Sequence, residues 1–264
     1  MRLCARTILS VAAAAVLAAA SALPCRAQLF DTYHPMYFIG GVPLKGPVDK
    51  TTASLKFQFS TAIPFFKNIS GREGMDLTFE YSQVSVWDFF DDSSPFRDNI
   101  YIPEFYLSIP HESDLLRFGI GHWSNGRPMR GSTDDTYSRS VNYAFCEYRT
   151  FLSNGLVFKA LVRGGIGWYD EELTQEVFWR FMGYADITGG YRSSDGKWEA
   201  AVTVSPVFDP FNANVEAGVA RDIGFCKLYL QFNSGYHETQ YDWVRGSRPA
   251  PCLRAGALFG SLFK

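Results

Sequence analysis

Short segments in which apolar and polar residues alternate recur along almost the whole chain. In one of them Leu55, Phe57 and Phe59 alternate with Lys56 and Gln58. Because successive side chains of a β-strand point to opposite faces, each such segment has one apolar and one polar face. Segments of about ten residues with this pattern are typical of transmembrane β-barrels. The helical period is almost absent, so we predict an all-β fold, a transmembrane antiparallel β-barrel.

The number of these segments and the connections between them predict a closed barrel. We expect twelve strands, near residues 36–43, 53–63, 75–87, 101–109, 115–124, 139–152, 156–165, 180–191, 197–205, 213–221, 225–236 and 251–262. An even number is required when both ends of the chain lie in the periplasm. Tight turns such as Asn154-Gly155 alternate with longer connections, as periplasmic turns alternate with extracellular loops. The expected long connections are residues 88–100, 125–138, 166–179, 206–212 and 237–250.

The beginning of the chain has the pattern of a secretory signal peptide. Arg2 and Arg6 precede an apolar run, and Cys25-Arg26-Ala27 resembles a cleavage site. The apolar run is shorter than the ~20 residues of a membrane helix. We therefore expect residues 1–27 to be a signal peptide and residues 28–264 to form the barrel, in the bacterial outer membrane. A soluble sandwich or lipocalin-like barrel is the alternative, since it is also built from alternating strands.

Charge and cysteine content exclude some classes of function. The net charge of −2 and the pI of about 6.1 give no electrostatic reason to expect a nucleic-acid partner. After removal of the signal peptide, three cysteines remain without metal-type spacing, so at most one disulfide can form. Whether Cys226 and Cys252 pair is left open by the sequence.

A histidine and a serine at the end of the fifth predicted strand have the residue types of acyl-transfer chemistry. His122 and Ser124 continue the apolar face that contains Phe118 and Ile120. Two strand residues span ~6.6 Å, so side chains that lean together can share a hydrogen bond. A serine hydroxyl beside an imidazole is the minimum for nucleophilic catalysis. On a lipid-facing surface the substrate would be lipid, although such a pair alone is more often an ordinary surface hydrogen bond.

Three longer motifs lie around this pair and occur in a fixed order. They are SSPFR at residues 93–97, HWSNGR at 122–127 and SRSVN at 138–142. HxSN alone is a weak signal, but the three motifs together are specific. They resemble outer-membrane phospholipase A, and further similar blocks extend the resemblance over most of the chain after residue 27.

The resemblance implies a twelve-stranded barrel that hydrolyses the sn-1 and sn-2 acyl esters of membrane phospholipids. It makes Ser124 the nucleophile, His122 the general base and Asn142 the residue that orients the imidazole. It also makes the Gly126 amide the oxyanion donor. The residue chemistry agrees, because an amide oxygen fixes the imidazole tautomer without burying a carboxylate near lipid. Asn142 is in phase with Ala144, so its strand can also present it outward.

The same resemblance implies calcium as cofactor and a calcium-dependent homodimer. The matching ligands are the Arg127 carbonyl, the Ser138 hydroxyl and the partner subunit's Ser93 hydroxyl. Some members have an acid seven residues after the histidine; here Met129 stands there, so an additional acid-based calcium site is left open. Gln83 corresponds to a polar contact between subunits, or it is simply a strand residue near the membrane surface.

Two other functions compete with this interpretation. A lipid A deacylase-type barrel esterase also has an outward HxSN pair, but it has eight strands and a glutamate as third member. A porin or adhesin would be non-catalytic, yet porins are larger and no constriction loop is recognisable here. Twelve strands and the SRSVN motif favour the phospholipase.

Overall fold

The computed structural model describes residues 32–126, 140–166, 176–208, 211–236, 238–239 and 249–263. Within them, twelve antiparallel strands form a closed barrel in which sequence neighbours pair and the last strand pairs with the first. The predicted fold class and strand number are confirmed. The strands are β1 Met36–Pro43, β2 Ser54–Phe66, β3 Asp76–Trp87, β4 Phe96–His111, β5 Asp114–Ser124, β6 Ser140–Phe151, β7 Leu156–Gly165, β8 Ala185–Arg192, β9 Trp198–Phe208, β10 Phe211–Asp222, β11 Lys227–Ser234 and β12 Cys252–Phe259.

Two of the predicted long connections are shorter than expected. β4 begins at Phe96, because residues 96–100 continue the pairing with β3 up to Trp87, so the connection is residues 88–95. β9 and β10 extend until Phe208 pairs with Phe211. The predicted loop 206–212 is therefore mostly strand.

A short π-helix, Val177–Met182, replaces the predicted start of the eighth strand. Val177, Phe178, Phe181 and Met182 are buried and belong to one apolar cluster with Tyr143. Their i, i+1, i+4, i+5 spacing fits one face of a helix rather than one face of a strand. A 3-10 turn at Ile69–Gly71 follows β2. No helix among the described residues is long and apolar enough to cross a membrane.

The barrel is apolar outside and polar inside. Phe118 is 45% exposed and Ile120 is 56% exposed on β5, whereas Arg117, which directly precedes Phe118, is buried. Lys56, which the sequence placed opposite an apolar face, is buried in the interior, and so are Glu80 and Glu199. A soluble barrel would show the reverse pattern, so this surface is built for lipid.

Several buried charges of the interior are held in ion pairs. Arg254 Nη1 lies 2.7 Å from Glu238 Oε1, and Lys227 Nζ lies 2.9 Å from Glu199 Oε1. Arg117 Nη1 lies 3.1 Å from Glu147 Oε1. A buried charge without such a partner would be strongly destabilising. These pairs therefore allow a polar interior in a barrel whose outer surface contacts lipid.

Both ends of the described chain turn into the barrel. Tyr33 stacks on Phe145 at 5.9 Å between ring centroids, and the Arg117 guanidinium lies 4.8 Å from the centre of its ring. At the other end, the Leu262 amide donates to Glu199 Oε2 at 2.9 Å, and Phe263 is buried. The predicted signal peptide, residues 1–27, lies outside the described residues.

The three cysteines among the described residues form no disulfide. Cys146, Cys226 and Cys252 are all free. Cys226 directly precedes β11, whereas Cys252 pairs with Asn233 near the other end of that strand. The two therefore lie at opposite ends of a hairpin and do not form a disulfide.

Candidate active site

His122 and Asn142 form the centre of the site. They are direct partners in the β5–β6 pairing, and the next outward pair on this face is Ser124 with Ser140. His122 Nδ1 lies 2.8 Å from Asn142 Oδ1. Because an amide oxygen only accepts, Nδ1 carries the proton of this bond. Nε2 is then the basic nitrogen of a neutral imidazole.

Burial along β5 and β6 shows that this pair faces the outside of the barrel. Val141 and Tyr143, on either side of Asn142, are buried in the interior. Trp123, between His122 and Ser124, also packs against the interior apolar cluster. Alternation along a strand then places His122, Ser124 and Asn142 on the lipid-facing surface, as the sequence predicted.

An apolar pocket opens beside this pair on the same surface. Its lining includes Pro103, Phe105, Ile120 and Ile166 together with His122 and Asn142. The Ile166 amide donates to the Asn142 carbonyl at 2.7 Å, which fixes the pocket edge next to the site. A pocket of this kind can receive an acyl chain while the reacting ester lies at the imidazole.

This pocket was not predicted from the sequence. Pro103 and Phe105 alternate with Glu104, and that alternation could have placed them on the outward face of β4. Their position beside His122 depends on the β4–β5 register, in which Glu104 pairs with Gly121. Nothing in the residues themselves indicates that register.

Gly126, the expected oxyanion donor, is exposed and has a backbone that requires glycine. Its φ is +64°, in the left-handed region. A Cβ at this position would lie 2.7 Å from Tyr101 Cε2. A side chain would therefore be both strained and obstructed here. Tyr101 pairs with Ser124 across β4 and β5, so this close approach occurs beside the expected nucleophile.

Ser93 lies in a hydrogen-bonded turn between β3 and β4, at the end of the barrel where β5 ends. Asp88 N donates to Pro95 O at 3.0 Å, and Trp87 Nε1 donates to Ser94 O at 2.8 Å. Ser93 is exposed and has a φ of +64°. The backbone is thus held by neighbours while the Ser93 hydroxyl is left accessible to another molecule.

The same turn is tied to the neighbouring loop. Lys50 Nζ donates to Asp92 Oδ1 at 2.6 Å, and this hydrogen bond raises the pKa of Lys50 above its ordinary value. The pair is exposed, so it contributes little to stability. It nevertheless brings the connection between β1 and β2 against the turn that carries Ser93.

Gln83 belongs to a row of polar side chains on the outward face of β3 and β4. Tyr81 Oη donates to Gln83 Oε1 at 3.2 Å, and Gln83 Nε2 donates to Ser85 Oγ at 3.1 Å. Ser85 Oγ donates in turn to Asn99 Oδ1 at 2.7 Å. An amide has two donors and two acceptor sites, so Gln83 keeps capacity for a further partner.

Three residues of the predicted metal region lie outside the described residues: Arg127, Met129 and Ser138. Within the described part of the chain, no group of three or more His, Cys, Asp or Glu side chains could hold a metal ion. The ligand set expected from the sequence consists of hydroxyl and carbonyl oxygens instead. Of that set, the described residues contain only Ser93, and its accessible hydroxyl fits a hard cation.

The chain was compared with known proteins. The family model described as phospholipase A1 matches residues 44–248. This chain belongs to the phospholipase A1 family. No curated protein matches it.

Solved structures of outer membrane phospholipases share its fold. The Salmonella typhi outer membrane phospholipase, a dimer with bound calcium, has a TM-score of 0.72 at 23% identity over 88% of this chain and 92% of its own. Outer membrane phospholipase A from Escherichia coli gives the same TM-score of 0.72 and 23% identity over 88% of this chain and 98% of its own. An asparagine-to-alanine active-site mutant of the Escherichia coli protein gives 0.72 at 22% identity, over 91% and 95%.

Family membership and architecture together decide between the competing functions. The protein is an outer-membrane phospholipase: its family is phospholipase A1, and its twelve-stranded closed barrel has the apolar exterior of a membrane protein. An eight-stranded lipid A deacylase-type barrel and a non-catalytic porin or adhesin fit these observations less well.

Proposed function

We propose that this phospholipase A1-family barrel hydrolyses the sn-1 and sn-2 acyl esters of phospholipids with Ser124, His122 and Asn142. The observation that carries the proposal is the 2.8 Å bond between His122 Nδ1 and Asn142 Oδ1 on the lipid-facing surface. A histidine held in one tautomer, two residues from a serine on the same outward face, supports the roles of general base and nucleophile.

The reaction follows from the roles of these atoms. His122 Nε2 takes the proton of the Ser124 hydroxyl as its oxygen attacks the ester carbonyl carbon. The protonated imidazole then gives that proton to the leaving glycerol oxygen, and a lysophospholipid departs. Water, deprotonated by His122 in the same way, releases the fatty acid and restores Ser124. The Gly126 N–H donates to the carbonyl oxygen as negative charge develops on it.

An amide suits the third position because the site faces lipid. A carboxylate there would have to be desolvated, whereas a neutral amide orients the imidazole at lower cost. The Escherichia coli enzyme has an active-site mutant in which an asparagine is replaced by alanine, and this supports the role of Asn142. The site lies on an open surface beside an apolar pocket rather than in a channel, so either ester of a phospholipid can approach it.

Calcium is the proposed cofactor. When bound, it would supply positive charge that stabilises the developing oxyanion. The Arg127 carbonyl, the Ser138 hydroxyl and the partner subunit's Ser93 hydroxyl would hold it. Support comes from the accessible Ser93 hydroxyl and from the Salmonella typhi relative, which is a dimer with bound calcium. Residues 1–27 are proposed to be a signal peptide that directs the chain to the outer membrane.

A homodimer would form through the lipid-facing side of β3 and β4. Gln83, with its remaining hydrogen-bonding capacity, would contact the partner within the membrane, where such a bond is worth ~1 kcal/mol. Dimerisation would bring the partner subunit's Ser93 to the calcium ion. An ion shared by two chains favours the paired state, and pairing tightens the ion in return. A monomer would lack a complete site, which protects the membrane that contains the enzyme.

The function is tested with detergent-refolded protein and phosphatidylethanolamine micelles in calcium. We expect wild type to release fatty acid and Asn142→Ala to lose about 10- to 100-fold in kcat, because it removes orientation but not the reacting atoms. Cys146→Ala is the matched control, since Cys146 faces outward on the same strand. No hydrolysis by folded wild type would contradict the proposed function. A loss in Asn142→Ala as large as in Ser124→Ala would contradict the role assigned to Asn142.

The shared calcium site is tested with Ser93→Ala. In wild type, a calcium titration followed by sedimentation in detergent should shift the protein from monomer to dimer. Ser93→Ala should require about tenfold more calcium for the same shift, since one ligand is lost. Ser113→Ala, in the short turn before β5 at the opposite end of the barrel, is the control and should behave as wild type. A calcium-loaded wild-type monomer with full activity would contradict the shared site.

A further inference from the structure

A tyrosine and a glutamate meet on the interior side of the strand that carries His122. Glu104 on β4, Gly121 on β5 and Tyr143 on β6 lie in one row across the three strands. Tyr143 Oη donates to Glu104 Oε1 at 2.6 Å. Gly121 makes this possible, since a Cβ there would lie 2.5 Å from Tyr143 Cζ. The two side chains are therefore joined across the strand between them.

The chain segment before β1 completes this connection. His34 Nε2 lies 2.9 Å from Glu104 Oε2, the oxygen that Tyr143 does not use. The His34 backbone amide donates to Glu80 Oε1 at 2.8 Å, and Tyr33 N also donates to Glu80. Thr32 and Tyr33 are buried. Residues 32–34 are thus fixed inside the barrel and hold Glu104 in place.

This row is adjacent to the catalytic pair. His122 follows Gly121 and Asn142 precedes Tyr143, so the next pair of the β5–β6 ladder is His122 with Asn142. We propose that His34, Glu104 and Tyr143 are positioning residues, which fix the β5–β6 register and hence the His122–Asn142 hydrogen bond from inside the barrel. This inference rests on the proposed function of that pair.

The physical reason is that, among the described residues, the His122 imidazole has one hydrogen bond, on an open surface. Its orientation therefore depends on how rigidly the two backbones are held together. A displacement of about 1 Å can cost about 10²-fold in rate. The bond from a hydroxyl to a carboxylate is of the stronger, charge-assisted kind. Its partners Glu104 and Tyr143 are 3% and 5% exposed, so the bond is largely shielded from bulk water.

Tyr229 provides a matched control on a distant strand pair. It is buried like Tyr143, and its ring covers Gly218, whose Cβ would lie 2.9 Å from Tyr229 Cε2. Its hydroxyl accepts a hydrogen bond from Gln231 Nε2 at 3.1 Å. Tyr229→Phe therefore removes an equivalent interior hydroxyl far from β5 and β6 in the strand order.

The experiment uses the full barrel labelled with 15N-histidine, of which the chain has four residues. We expect Tyr143→Phe and His34→Ala to shift the His122 ring nitrogen signals and to lower kcat about tenfold with KM nearly unchanged. His34→Gln, which keeps a side-chain N–H donor, should recover most of the loss. Tyr229→Phe should leave both measurements at wild-type values. Faster migration of the unboiled protein than of the boiled protein on gels would report a compact folded barrel. His34→Ala alters no strand residue and serves if Tyr143→Phe does not fold.

Two results would overturn the inference. One is wild-type kcat and wild-type His122 signals in folded Tyr143→Phe and His34→Ala. The other is an equal effect of Tyr229→Phe, which would indicate general loosening of the barrel. The nitrogen signals do not depend on turnover. Shifted His122 signals in the variants, with no hydrolysis by wild type, would therefore contradict the proposed function alone. Unshifted signals in the variants, with an active wild type, would contradict the positioning network alone.

Discussion

Replacing Ser124 by alanine is expected to reduce phospholipid hydrolysis to background, a loss of about 10⁴-fold or more. The Ser124 hydroxyl oxygen is the atom proposed to attack the ester, because Ser124 lies two residues from His122 on the same face of β5. His122→Ala should cause a loss of similar size, because a serine without its base is a poor nucleophile. The double variant should be no worse than either single one, since nucleophile and base act as a unit.

Ser140→Ala is the control for this prediction. Ser140 pairs with Ser124 across β5 and β6 and exposes its hydroxyl on the same face. It should retain wild-type turnover of phosphatidylethanolamine, measured as fatty acid released by detergent-refolded protein. Heat-dependent gel migration shows whether each variant has folded. Substantial hydrolysis by folded Ser124→Ala would mean that another residue is the nucleophile.

The fold could be predicted from sequence because lipid imposes a strict pattern. A strand that crosses a bilayer has no water to satisfy exposed polar groups, so its outer residues are apolar along the whole span. The expected limits of β1 and β7 agree with the structure to the residue. The face of the strand on which each side chain lies was also predictable. For this reason the sequence places His122, Ser124 and Asn142 outward, as they lie in the structure.

Strand ends and the helical turn were less predictable for a different reason. The extension of β4 back to Phe96 depends on its partner β3, and neither strand alone shows how far pairing continues. Residues Val177–Met182 are apolar throughout, and a short apolar run does not distinguish strand from helix. Burial against Tyr143 and its neighbours decided the outcome.

The active site was likewise predictable only in part: the face on which a side chain lies followed from the sequence, but strand pairing did not. His122 and Asn142 are twenty residues apart, and only the β5–β6 register makes them direct partners. The motifs suggested that they belong together, but residue chemistry alone did not fix the pairing. The interior row of His34, Glu104 and Tyr143 was not anticipated. The alternation of side chains along a strand places Glu104 and Tyr143 inside the barrel. Their contact across Gly121, however, depends on both the β4–β5 and the β5–β6 register.

Removal of calcium is the second large effect that we expect. A chelator should lower hydrolysis by wild type about 10²- to 10³-fold, the loss typical when a donor to an oxyanion is removed. Added calcium should restore the rate. Magnesium at the same concentration should restore little, because it is smaller, requires a stricter octahedral geometry and loses its water reluctantly. Ligands contributed by two separate chains suit the larger and less demanding ion.

The activity that remains in Asn142→Ala allows the effect of calcium to be separated from the effect of imidazole orientation. In the proposed mechanism Asn142 would orient the base, whereas calcium would stabilise charge on the substrate oxygen, so the two losses would arise at different atoms. Chelation should therefore reduce the remaining rate of Asn142→Ala further, by about the same factor as in wild type. Gel migration in chelator is the folding control. We expect it to show a folded barrel, because the interior ion pairs of the described chain require no metal. Full turnover by a chelated monomer would exclude calcium and the shared site but would leave the assignment of Ser124, His122 and Asn142 intact.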